Sequence, residues 1–275
     1  MASNIPKERT IAALAEEWLS LGDLLAELTD DEWRLPTPLP GWSVQDNVAH
    51  IIGTEAMLSG ESGPNIDIDR ETNQHVRNDI GAFNEQWVES LRPAAPTDVL
   101  ARFREVTAGR LATLTAMSDD EWNAESFTPA GKDTFGRFMQ IRVFDCWLHE
   151  QDIRDAVGRP GHESGLAVDV TLDEMATALG FVVGKKAGTG ASQRVTFALT
   201  ERGVVVREFH VEVGDRAAVV PELSGPATVV LTMPVGVMTR RCAGRVGPDD
   251  LLDQVVIDGD LELASKILAN QSYTI

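Results

Sequence analysis

Residues 142–162, RVFDCWLHEQDIRDAVGRPGH, carry the reading on which the fold turns. They belong to a longer stretch, about Thr134 to Val157, that contains no proline. Gly158 and Pro160 follow directly, the punctuation of a helix C-terminus. In such a helix Asp145 and His149, four residues apart, share one face about one turn from each other. A carboxylate and an imidazole so placed can hold one metal ion between them when that face points into a bundle. Local hydrogen bonding produces the same spacing, so a metal site requires a donor from a second helix. Of the five histidines, His50 is the other one inside a strong helical pattern.

The pattern is helical up to about residue 185. Ile11, Leu14, Trp18, Leu21, Leu24, Leu25 and Leu28 recur at three and four spacing, which predicts an amphipathic helix over Thr10–Leu28. LPTPLPGW (35–42) stops it, and Ser43 with Asp46 three residues on reads as the capped start of a helix reaching about Leu58. Gly60 to Thr72 reads as an exposed loop. Further helices are predicted over Asp79–Leu91, Thr97–Met117 and Asp169–Val183. Short connections between long helices predict antiparallel neighbours, an up-down four-helix bundle. KKAGTGAS (185–192) reads as a linker. Beyond it Val195, Phe197 and Leu199 alternate, and Val204, Val206 and Phe209 follow the turn residues Glu201–Gly203, as in a hairpin. Ala227–Met233 reads as another strand, and 234–241, 248–254 and 260–269 as helices. The predicted class is α joined to α+β: a helical bundle over 1–185 and a smaller α+β domain over 193–275.

Bulk properties narrow the partners. The 275 residues carry 24 basic and 43 acidic side chains, a net charge of −19, which repels nucleic-acid phosphates and anionic membrane surfaces. No apolar run reaches the roughly eighteen residues of a membrane span. MASNIPKERT (1–10) has charges with no apolar segment after them, so it does not read as a secretory signal. The two cysteines, Cys146 and Cys242, have no CxxC spacing; a disulfide framework is not expected, and a reduced cytoplasmic setting fits. A monomer or homodimer working on a small molecule is the expectation.

PLPGWSVQDNVAHIIGTEAML (38–58) resembles the N-terminal signature of the DinB-like, mycothiol-dependent maleylpyruvate isomerase superfamily: a proline-rich turn, Gly-Trp-Ser, then a helix bearing one histidine. The stretch 142–162 resembles the second metal-bearing helix of that family. The C-terminal part, ending in GDLELASKILANQSYTI (259–275), is similar to the sterol-carrier-like domain that accompanies it. The resemblance implies a bundle holding a divalent metal, usually zinc, through two histidines and an acid, which by position are His50, Asp145 and His149. The isomerase commonly has glutamate where this chain has Asp145, a carboxylate shorter by one methylene. The family is linked to low-molecular-weight thiols, mycothiol for the isomerase and bacillithiol for related transferases.

These implications point to thiol transfer or thiol-assisted isomerisation of an electrophilic small molecule, because a cation stabilises a thiolate over a thiol. Two other readings are a small-molecule or lipid binder without turnover and a metal-dependent hydrolase. For the hydrolase, Glu150 beside His149 is the candidate base, although HEQDI lacks the second histidine of HExxH, with Ile153 in its place. Arg241, of the pair Arg240–Arg241, is the candidate guanidinium clamp for an anionic substrate. Asp152 and Arg154 are candidates for orienting a ligand, and Trp42 for walling the pocket. Cys146 reads as core, His75 as exposed, and His162 and His210 have no partner pattern.

Overall fold

A computed structural model describes residues 3–274. The chain forms two compact units, one of residues up to His162 with Leu166–Val170, the other of Glu163–Gly165 with residues from Thr171 onward.

The first unit contains α1 (Lys7–Ala26), α2 (Val44–Leu58), α3 (Asp79–Leu91), α4 (Pro96–Ala116), the short α5 (Asp119–Trp122), a hairpin of β1 (Glu125–Thr128) and β2 (Gly131–Thr134), and α6 (Phe135–Val157). Helix α1 packs on α4 and α6, and α2 on the same two, which closes a four-helix bundle; α3 lies against α2. The consequence for α2 is unusual. Every residue from Val44 to Ala56 is buried, including the polar Gln45, Asp46, Asn47, His50, Thr54 and Glu55. Buried polar groups are tolerated only where they find partners, so α2 concentrates hydrogen bonding inside the bundle. The remaining core is aliphatic and aromatic, with Leu14, Leu21, Ile51, Phe103, Met139 and Trp147 essentially inaccessible.

Helix starts and ends follow local chemistry. Ser43 and Asp46 form a complete capping box, each side chain accepting from the other's backbone N–H. Thr134 caps α6 through Arg137 N, and Gly158, at φ +66°, ends it. The hairpin and α5 are absent from the sequence reading, since four-residue elements are too short to show a period.

The second unit holds a five-stranded sheet in the order β5 (Ala217–Val220), β4 (Val204–Val213), β3 (Arg194–Glu201), β6 (Val229–Pro234), β7 (Val256–Gly259). β3 and β6 are parallel and the other neighbours antiparallel. Val195, Phe197 and Leu199 stand in register with Val229, Leu231 and Met233, and all six are buried. Helices α8 (Val235–Cys242) and α9 (Leu261–Ala269) pack on these strands. The mixture of helical bundle and small sheet unit is the fold class that the period change announces.

Two assignments change. The helix expected over 248–254 is only a 3-10 turn at Leu252–Gln254, entered through Leu251 in the left-handed region. The helix expected over 169–183 begins at Leu166 as α7 (Leu166–Phe181) and continues as a wide turn over Val182–Lys186, into the segment read as linker. From Thr171 its residues group with the sheet unit rather than with the bundle. Gly180 and Gly184 let its backbone approach Ala217, and Asp173 pairs with Arg207 of β4. Among the described residues no helix is long and apolar enough to cross a membrane.

Close packing of α3 on α2 depends on Gly53, where a Cβ would fall 2.3 Å from Trp87 Cγ and 2.6 Å from its Cβ. Because these atoms sit next to the α3 backbone, they cannot swing aside. Gly53→Ala is therefore expected to destabilise the protein by about 1–3 kcal/mol, read from urea denaturation midpoints at unchanged slope.

Candidate metal centre

The centre is assembled by α2 and α6. The capping box fixes where α2 starts, and Arg92 Nε donates to Asp46 Oδ1 at 3.0 Å, tying that start to the end of α3. Seven residues after the cap, His50 faces α6, where Asp145 and His149 lie one turn apart. His50 Nε2 is 3.0 Å from Asp145 Oδ2, His149 Nε2 is 3.6 Å from Asp145 Oδ1, and the two imidazole centroids are 4.8 Å apart. One ligand atom from each of the three residues lies within 4.8 Å of the others. The indole of Trp42 closes one side, 5.4 Å from the His50 ring and 5.8 Å from that of His149, and is held by Nε1–H donating to Glu85 at 2.9 Å.

The donor set fits a divalent cation. Asn47 Oδ1 lies 2.8 Å from His149 Nδ1, which sets Nδ1 as the protonated nitrogen and leaves the Nε2 lone pair toward the centre. Asp152 Oδ2, 3.5 Å from the same nitrogen, supports that assignment. His50 presents Nε2 to the centre, and among the described residues its buried Nδ1 has no hydrogen-bond partner. The two histidines are buried, whereas the Asp145 side chain is 32% exposed, so the centre is reached from the Asp145 side.

A chain of buried charge stands behind Asp145. Arg142 donates to Asp145 through Nη1 and, through Nε at 2.8 Å, to Glu55 of α2; Glu55 in turn accepts from Arg110 Nε of α4 at 3.1 Å. Burial alone would raise the Asp145 pKa, but the Arg142 guanidinium, then His50 and His149, outweigh it and hold the carboxyl well below the usual range. Burial lowers His50 despite the neighbouring carboxylate. For His149 burial acts downward too, but Asp145 and Asp152 prevail and its pKa is raised. Arg142, Glu55, Arg110 and Asn47 were all missed in the sequence. Their signal was polar residues in stretches otherwise reading as core.

The other candidates fall elsewhere. Glu150 is turned to another face of α6, accepting from Ser20 Oγ at 2.7 Å, Arg154 Nε at 2.8 Å and His162 Nδ1 at 2.6 Å, so it is not a base for this centre. Arg154 is bound in that group too. Arg241 is buried in the second unit, where its guanidinium donates to Gln271 Oε1 at 3.0 Å and to the carbonyls of Asp250, Pro248 and Leu268. Those bonds occupy four of its five N–H groups, so it ties down the end of the chain rather than offering a clamp. Cys146 is buried and burial pushes its thiol pKa up, which makes it an inert core residue. His75 is not exposed as expected. It packs over Gly41 with Nε2 2.9 Å from Glu85 Oε2. His210 pairs with Thr196 Oγ1 at 3.0 Å.

A family model described as the mycothiol maleylpyruvate isomerase N-terminal domain matches residues 14–154, just over half of the chain. The chain belongs to that family. All three donors lie inside the matched family domain. An uncharacterized protein of Mycobacterium tuberculosis, strain CDC 1551 / Oshkosh, is 28% identical over 152 residues, 54% of this chain and 56% of that protein. Its counterpart in strain H37Rv gives the same values. The chain thus spans little more than half the length of the curated relatives it matches. A crystal structure of the mycothiol-dependent maleylpyruvate isomerase superposes with a TM-score of 0.57 at 16% identity, covering 94% of this chain and 95% of that one. A histidine-to-alanine mutant of the isomerase gives 0.52 at 17% identity with the same coverage. At such identity the likeness is one of fold.

Arg142 pairs with the buried carboxylate of Glu55 and the half-buried one of Asp145, so Arg142→Met leaves both short of a partner. A loss of about 3–5 kcal/mol in unfolding free energy is expected, measured by urea titration of the metal-free protein.

Proposed function

We propose that this chain is a divalent-metal enzyme that uses a low-molecular-weight thiol, mycothiol or a relative of it, to isomerise or add to a small electrophilic molecule. The observation that carries the reading is the convergence of His50, Asp145 and His149 within the family-matched domain, with the Asp145 side chain partly open to solvent. Two imidazole nitrogens and one carboxylate oxygen suit zinc, and three protein donors leave a position free for a small ligand, the pattern of catalytic sites. When bound, the cation supplies a Lewis acid that favours thiolate over thiol at neutral pH.

The chain's own residues do the rest. Asn47 holds the His149 Nδ1–H, so the nitrogen that gives up its proton to the cation is Nε2. Arg142 keeps Asp145 anionic, which secures the third donor across the physiological range. Trp42 lays an apolar wall beside the two histidines, which excludes water from one side of the centre. The partly exposed flank at Asp145 is where thiol and electrophile enter. Mycothiol as the thiol and isomerisation as the reaction are carried over from the crystallised isomerase. A reducing cytoplasmic setting suits a thiol cofactor and the two free, buried cysteines.

His149→Ala is expected to remove one equivalent of zinc and all thiol-dependent turnover, measured by elemental analysis beside assays with maleylpyruvate and mycothiol. Turnover that needs the thiol yet survives complete chelation would sink the proposal. A milder change separates orientation from ligation. Asn47→Ala retains all three donors and is expected to weaken zinc affinity on the order of 10–100-fold, read by competition with a chromogenic chelator.

A further inference from the structure

Among the described residues a second group of three potential donors exists in the same unit: Glu17 of α1, Glu150 of α6 and His162 in the segment after α6, with one ligand atom from each within 4.8 Å of the others. His162 Nδ1 lies 2.6 Å from Glu150 Oε2 and 3.5 Å from Glu17 Oε2. We propose that these three residues form a second divalent-cation site, distinct from the centre of His50, Asp145 and His149, that staples α1 to α6 and to the segment that follows it.

Glu17 carries most of the argument. Its side chain is completely buried, and among the described residues neither oxygen accepts from an N–H or hydroxyl donor; its polar neighbours are the Glu150 carboxyl and His162 Nδ1 at 3.5 Å. A buried carboxylate left without donors is costly, and this one sits beside another buried carboxylate. Glu150 is better supplied, since its Oε1 accepts from Ser20 and Arg154. Its Oε2 accepts from His162 Nδ1 at 2.6 Å, and its carboxyl lies against that of Glu17.

Charge and orientation agree with a cation there. Three carboxylates, Glu16, Glu17 and Glu150, surround His162, and Arg154 pairs with Glu150, so a divalent ion takes the place of the protons that Glu17 and His162 otherwise hold. Without the ion His162 Nδ1–H donates to Glu150 Oε2 at 2.6 Å; an ion displaces that proton and takes the Nδ1 lone pair, while Nε2–H points to Glu16 Oε1 at 3.4 Å. A ligating histidine backed by a carboxylate has this arrangement. The backbone is set for it as well. His162 is held at φ +54°, a left-handed conformation that few residues other than glycine adopt, and Trp147 Nε1–H pins its carbonyl at 2.8 Å. Oxygen and imidazole donors suit zinc or manganese. With Glu17 and Glu150 inaccessible, the role is structural rather than catalytic.

The rival occupant is a proton shared between Glu17 and Glu150, and zinc counting separates the two. The full chain is equilibrated with excess Zn2+, desalted, and its bound metal measured. About two equivalents are expected for the wild type, about one for His149→Ala, about one for Glu17→Gln, and none for the double variant. In the His149→Ala protein added Zn2+ also raises the melting temperature, and in the double variant it does not. A wild type whose only zinc disappears with His149→Ala, or a Glu17→Gln protein that holds as many equivalents as the wild type, overturns the second site. Where Glu17→Gln fails to give the wild-type far-ultraviolet circular dichroism, His162→Gln replaces it in both arms with the same expectations. Because the His149 and Glu17 equivalents are lost separately, failure here leaves the catalytic proposal standing, and the converse holds.

Discussion

The chain of charge that runs Arg110, Glu55, Arg142, Asp145 through the bundle interior is the constraint from which the rest follows. It joins α4, α2 and α6, three of the four bundle helices. Aliphatic packing tolerates small slides and rotations, because one methylene serves nearly as well as another. Paired charges do not tolerate them. A rotation of α6 by one residue, about 100°, would carry Arg142 away from Glu55 and leave a buried carboxylate unmatched. The same bonds that set the rotation of α6 aim Asp145 and His149 at His50, so the geometry of the centre is a by-product of charge pairing in the core.

That dependence also gives the two histidines different characters. His149 is braced from behind by Asn47 and Asp152, while His50 is placed by its helix alone and its second nitrogen has no partner. Asp145 lies between them and stays anionic because Arg142 shares its charge. The carboxylate is thus the electrostatic anchor of the centre.

Much of the bundle was legible because its helices are long enough to repeat. Asp79–Leu91 matches the predicted span, and the capping box at Ser43 and Asp46 is a local pattern that needs no tertiary context. The Asp145–His149 pair was legible for the same reason, being one helical turn. His50 joined it only through family resemblance, since nothing in spacing brings residues 50 and 145 together. Short elements were lost: the β1–β2 hairpin, β5 and β7 are four residues each, and their pairing depends on partners far along the chain. The role of Arg241 was misread for a related reason. A charged side chain on an amphipathic helix suggests the surface, and only the fold shows that four acceptors surround it.

Helix α6 presents chemistry on more than one face: Asp145 and His149 toward α2, Glu150 toward α1 and His162. Adjacent positions in this helix therefore answer to different neighbours, and that limits how the chain can change length. Inserting or deleting a single residue between Arg142 and Glu150 would shift everything beyond it by about 100° and break both arrangements at once. The stretch Gly60–Thr72 lies outside every helix and carries none of these residues, so it is free to lengthen or shorten. Divergence in this lineage is accordingly expected as gaps in the long connection after α2 and as an ungapped block from Arg142 to Glu150.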